Sequence, residues 1–219
     1  MPRKSSLRTL SRGPEFRRRL LRWFRAHGRD LPWRRTRDPY AILVSEFMLQ
    51  QTQVSRVLEY WPRFLERFPA LPALASAPPA SVREAWDGLG YYRRAANLQK
   101  LARTVVDNGG VLPDDPAQLR ELPGVGRYTA GAVASFAYER RTAAVDTNVA
   151  RVLRRAFHPR RASEATLWAT AEALLPRRGS DVWTFNQAIM ELGALVCTAR
   201  VRRCDVCPVR QACATGRPK

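Results

Sequence analysis

Four cysteines and two carboxylates are the residues of this chain whose types and spacing could do chemistry. Cys197, Cys204, Cys207 and Cys213 all lie in "CTARVRRCDVCPVRQAC", spaced C-x6-C-x2-C-x5-C. Disulfide frameworks belong to short secreted chains that cannot bury a core, and the opening "MPRKSSLRTLSRG" is basic with no apolar stretch. Zinc sites are usually built from two short paired knuckles, but here one C-x2-C is flanked by longer spacers with no His nearby. Four thiolates so arranged suit an iron–sulfur cluster better. Of the carboxylates, Glu46 in "VSEFMLQQTQV" has Leu43 and Leu49 as its helical i−3 and i+3 neighbours. Such apolar company favours the protonated acid, the alternative being a solvated carboxylate on a helix surface. Asp146 in "AAVDTNVARVLRR" stands where a helix should begin. It reads as an N-cap, and an N-cap Asp can also stabilise a neighbouring positive charge.

These groups must be positioned by helices. Strand-like runs are scarce, while apolar residues recur at three- and four-residue spacing: Phe16, Leu20 and Phe24, then Leu43 and Phe47, then Val54, Leu58, Trp61 and Leu65. Prolines punctuate the pattern, which predicts an all-α protein of about ten short helices. The net charge of +19 points to a polyanionic partner, nucleic acid being the commonest, against a merely solubilising bias. Only Lys4, Lys100 and Lys219 are lysines, so amine chemistry has few candidates. No stretch approaches the length of a membrane span. We expect a monomeric cytoplasmic, nucleoid-associated protein of bacterial type that does not engage membranes.

The stretch "LRELPGVGRYTAGAVASFA" is more specific. One helix ends before Pro123, Gly124 and Gly126 permit a tight turn, and a second helix opens near Arg127. The amides of Gly124, Val125 and Gly126 form a candidate phosphate site, the alternative being an ordinary glycine-turned helical hairpin. Together with "VDTNV" and the cysteine spacing, this hairpin resembles the endonuclease III and MutY group of helix-hairpin-helix DNA glycosylases over about residues 15 to 213. The resemblance implies two helical subdomains, one of six helices over 30–143 carrying the hairpin at 119–137. The other joins 14–29 to 144–219, with one [4Fe-4S] cluster in the 197–213 loop, and residues 1–13 form a basic flexible tail.

In "LPWRRTRDPYAILVSEFMLQQTQVSRV" and "WDGLGYYRRAANLQKLA" the chain is most similar to the MutY branch, which acts on mispaired adenine in double-stranded DNA. That similarity implies that Glu46 protonates adenine N7 and Asp146 stabilises the sugar cation, with Tyr128 and Asn148 in support. It puts Arg29, Leu31, Trp33, Arg34, Gln51 and Gln187 around the flipped base. Tyr91 becomes the wedge inserted into the duplex, with Thr52 and Leu89 beside it. Bifunctional relatives carry a Schiff-base Lys where this chain has Tyr128, so we expect a monofunctional hydrolase. Two features keep a G·T or G·U mismatch glycosylase as the alternative: Tyr128 itself, and Thr147 where the branch usually has Gly. A non-catalytic, cluster-bearing DNA-binding module is the third reading, which the pairing of Glu46 with Asp146 disfavours. The chain ends six residues after Cys213, so the opposite-strand domain typical of the branch is not expected.

Overall fold

The computed structural model describes residues 10–158 and 160–216. Most of the expected tail, residues 1–9, lies outside the described residues. Eleven α-helices occur among them: α1 (Gly13–His27), α2 (Pro39–Leu49), α3 (Val54–Arg67), α4 (Leu71–Ser76), α5 (Pro79–Ala85), α6 (Arg93–Asp107), α7 (Pro116–Leu119), α8 (Arg127–Tyr138), α9 (Thr147–Phe157), α10 (Glu164–Leu174) and α11 (Gly179–Leu195). The only pairing of β type among the described residues is an isolated bridge between Cys197 and Arg202. The protein is all-α, and no described helix is long and apolar enough to cross a membrane. The described residues fall into two compact units, one within Met1–Arg29 and Glu139–Lys219, the other Asp30–Tyr138.

In the Asp30–Tyr138 unit, α2 is the central element. Asp38 caps it by accepting the Tyr40 amide at 3.0 Å, and Pro39 occupies the first turn, where its missing N–H is harmless. Every residue from Tyr40 to Met48 is buried. Helix α8 packs along α2, and its buried residues include the small Ala130, Gly131 and Ala134. Helix α3 presents Val57, Phe64 and the following Phe68 inward, where Phe64 meets Trp86 at 5.7 Å. Leu58, expected on that face, is 39 % exposed. The buried stripe follows Val57 through the half-buried Trp61 to Phe64, one residue out of phase with the predicted one, because Phe64 and Phe68 anchor the helix.

In the other unit, Phe16, Leu20 and Phe24 are the buried face of α1. That face packs on α11 and α10, and the Phe16 ring meets Phe157 of α9 edge-on at 5.0 Å. Ser163 caps α10 through the Thr166 amide. Gly193 lets α11 approach the start of α9, since a Cβ there would lie 2.7 Å from Asn148 Cβ.

Candidate active site and nucleic-acid interface

Glu46 lies in the second half of α2 and is 4 % exposed, so it is not a solvated surface carboxylate. A buried carboxyl group is rare and asks for a function or a compensating partner. Tyr128, half-buried, belongs to the first turn of α8, the helix packed along α2. Between α7 and α8 the hairpin turns at Gly124, whose φ of +80° favours glycine. A Cβ there would also press on Asn97 Cβ at 2.9 Å and Phe47 Cε1 at 3.0 Å. The Val125 amide donates to the Leu122 carbonyl at 3.1 Å. Within the turn, the middle of the three expected amides thus has a backbone acceptor. Gly126 is exposed with open space where a Cβ would stand, and the exposed Arg127 follows it.

Tyr91 is 62 % exposed and ends the turn after α5, where Gly88 and Gly90 have φ of +89° and +69°. Tyr91 itself has φ +48°, and Gln51, exposed in the loop after α2, has φ +57°. Left-handed backbone at a non-glycine residue costs roughly 1–3 kcal/mol and marks a site held by its surroundings. Both loops converge on Arg94, a residue the sequence reading missed. Its Nη1 donates to the carbonyls of Phe47 (3.0 Å), Met48 (2.7 Å) and Gln50 (2.5 Å). Its Nη2 donates to Thr52 Oγ1 (2.9 Å) and to the carbonyls of Leu89 (3.0 Å) and Gly90 (3.1 Å). A cation in the first turn of a helix opposes the dipole, so Arg94 in α6 was a signal of partners elsewhere. Thr52 is half-buried at this junction, and Leu89 is buried. Leu31 and Trp33 are also buried, Trp33 meeting Trp61 edge-on at 6.0 Å, and Arg34 is half-buried.

In the second unit Asp146 caps α9. Its Oδ1 accepts the Val149 amide at 2.7 Å and its Oδ2 accepts Asn148 Nδ2 at 2.8 Å. Burial holds the Asp146 carboxyl above the usual carboxylate range, opposed by those two hydrogen bonds. Arg151 extends the chain of contacts, donating through Nη2 to Asn148 Oδ1 at 2.6 Å and through Nε to the Cys197 carbonyl at 2.8 Å. The Asp146 cap was legible at the start of a helix and the support of Asn148 only through the family resemblance; the role of Arg151 was not legible.

Arg29, expected in the base pocket, is engaged by Glu191 of α11. Its Nε and Nη2 form a fork on the carboxylate at 2.8 and 2.9 Å, and its backbone amide adds a third bond at 2.9 Å. Glu191 is 1 % exposed, and its ion pair raises the Arg29 pKa. Gln187, one turn earlier on α11, is buried.

All four cysteines line one pocket with an apolar wall that includes Val152, Ala156 and Leu192. Burial pushes the Cys207 thiol up to about 11, and the Cys213 thiol is raised for the same reason. Arg155 Nη1 lies 3.2 Å from Cys197 Sγ, and the Arg155 carbonyl faces Cys213 Sγ at 3.6 Å. Among the described residues no three His, Cys, Asp or Glu are placed to hold a single metal ion. The thiols border a cavity instead of meeting at a point.

Residues 44–176 match the family described as "HhH-GPD superfamily base excision DNA repair protein". An adenine DNA glycosylase of Mycobacterium tuberculosis is 50 % identical over 196 residues, 87 % of this chain and 64 % of that protein. The chain thus spans a little under two thirds of the length of that curated relative. The solved structure of a thermostable thymine-DNA glycosylase superposes with a TM-score of 0.88 at 31 % identity, covering 95 % of this chain and 98 % of that one. A trapped endonuclease III–DNA covalent intermediate superposes with a TM-score of 0.80 at 26 % identity, covering 93 % and 94 %. With more than half of its residues matched and its helices superposed on those of repair glycosylases, the chain belongs to the HhH-GPD superfamily of base excision DNA repair proteins.

Proposed function

We propose that this protein is a monofunctional DNA glycosylase that hydrolyses the N-glycosidic bond of adenine mispaired with guanine or 8-oxoguanine in double-stranded DNA. The observation that carries this reading is a buried carboxyl group, Glu46, on an apolar helix of a chain 50 % identical to an adenine DNA glycosylase. Glu46 gives its proton to adenine N7 as the C1′–N9 bond breaks, and the bond's electron pair leaves with the base. Asp146, oriented by Asn148 and the Val149 amide, stabilises the positive charge left on the sugar, and water then adds at C1′ with loss of a proton to solvent. Tyr128 offers no amine for an imine, so the DNA strand stays intact.

The four cysteines fit a [4Fe-4S] cluster. A cluster with one thiolate per iron asks for sulfurs spread around a cavity, whereas a single zinc ion draws all four to one point. When bound, the cluster supplies iron–thiolate bonds that cross-link the 197–213 loop.

A second reading, thymine or uracil release from G·T or G·U pairs, draws on the nearly full-length superposition with the thymine-DNA glycosylase. One experiment separates them: base release in single turnover from A·8-oxoguanine, A·G, A·C, T·G and U·G duplexes. Adenine release is expected to dominate and to fall at least about a hundredfold in Glu46→Gln, the lower range for loss of a general acid. Undiminished adenine release by Glu46→Gln together with robust thymine release by the wild type would transfer the assignment to the second reading.

A further inference from the structure

The Gln51 and Tyr91 tips are far apart in sequence, yet both are exposed, both hold left-handed backbone, and both border one open pocket together with Gln50 and Tyr92. Two strained tips on separate loops do not keep a shared geometry unless something over-determines them. Arg94 is the side chain that touches both. One guanidinium nitrogen binds the last carbonyls of α2 and the Gln50 carbonyl, the other binds Thr52 and the two carbonyls that precede Tyr91. The guanidinium also lies 5.4 Å from the Tyr91 ring centroid and 5.5 Å from that of Trp86.

The partners of this cation are chemically telling. All six acceptors are neutral, five carbonyls and one hydroxyl, and Arg94 is buried. A buried charge without a carboxylate among these partners is a poor stabilising device compared with an apolar side chain of similar volume. Only a planar fork serves acceptors on two sides at once, and a Lys ammonium, a single point with three donors, does not span them.

We propose that Arg94 is a positioning residue that locks the Gln51 tip, the Tyr91 tip and the C-terminal end of the Glu46 helix into one unit, so that both tips enter a mispaired duplex together. The entry into a duplex rests on the glycosylase reading; the locking does not. The test therefore has an arm without DNA. In Arg94→Lys, hydrogen exchange at the Thr52 and Leu89 amides, which donate to the Leu49 and Trp86 carbonyls, is expected to speed up at least tenfold at both sites. Amides in the middle of α6 keep their wild-type rates. Loosening of one tip alone, or of neither, in a folded variant overturns the locking. Should Arg94→Lys not fold, Thr52→Val removes a single acceptor and is expected to loosen Leu89 as well as its own loop; a response confined to the 50–53 loop overturns it.

The DNA arm compares affinity for mispaired and fully paired duplexes. Arg94→Lys is expected to lose about tenfold of the mispair preference with paired-duplex affinity little changed. Adding Tyr91→Ala to it should bring no further loss, because both act through the same wedge. Additive losses, or equal losses on both duplexes, overturn the joint entry. A wild type without mispair preference instead overturns the glycosylase reading, and the exchange result still decides the locking.

Discussion

Asp146 bears two demands that oppose each other. As a cap it is satisfied by the Val149 amide and Asn148, but its burial disfavours the charge that a sugar cation needs. Its carboxyl in the folded chain stays above the ordinary 3.8, so folding favours the protonated form. Stability is then greatest below the unfolded value and is lost as pH rises through the window between that value and the raised one. Asn caps a helix about as well as Asp, and it carries no charge to desolvate. Asp146→Asn is therefore expected to melt no lower than the wild type near pH 4 and higher at pH 7, while base release falls by at least about a hundredfold. Melting temperatures of both proteins across pH 4 to 7 check the sign. A variant that melts lower at pH 7 would mean that the carboxylate charge is stabilised by its surroundings. In the wild type the same raised value places the acid limb of the pH–rate profile above the usual carboxylate range.

At the scale of the element, α9 joins the Asp146 cap to the cysteine loop, and what was legible in sequence divides along that helix. Its start was readable, since an Asp just before a helical apolar run is a local cap signal. The hairpin glycines and the Phe16, Leu20 and Phe24 face were readable for the same reason, each being a short-range pattern. The distant contacts of Arg94, Arg151 and Glu191 were not, because those partners lie 44, 46 and 162 residues away, and a cation in a first turn says that Arg94 has partners elsewhere without saying which. The phase of α3 was misread where Leu58 and Val57 offered equally apolar choices and only the packing of Phe64 and Phe68 decided. Helix α9 meets the loop through Arg151 and Arg155, which bind the Cys197 carbonyl, and Arg155 also binds the Thr198 carbonyl. If a cluster fills the cavity, anaerobically purified protein is expected to be brown with about four irons per chain. Cys204→Ser is expected to lose that colour and to expose the 198–216 amides to faster exchange, since metal binding and local folding are linked. Stoichiometric zinc without iron would exclude the cluster.

The whole molecule presents a charge of +19, and the exposed arginines include Arg18, Arg22 and Arg25 of α1, Arg93, Arg127, Arg154, and Arg200, Arg202 and Arg203 of the cysteine loop. Both units therefore carry exposed cations. A polyanion that neutralises several of them releases condensed counterions, and the logarithm of affinity then falls linearly with the logarithm of salt at about −0.9 per phosphate contact. Five or more such contacts give a slope steeper than about −4, which is the expected result for a duplex titrated between roughly 50 and 200 mM salt. The chemistry is expected to behave differently. Glu46 is buried and Asp146 is half-buried, where screening by mobile ions is weak, so the single-turnover rate of base release at saturating protein should be nearly flat over the same range. Measuring both quantities on one A·G duplex separates grip from catalysis. A flat affinity would remove the electrostatic account of DNA binding, and a saturated rate that falls in step with affinity would place a solvent-exposed charge in the rate-determining step.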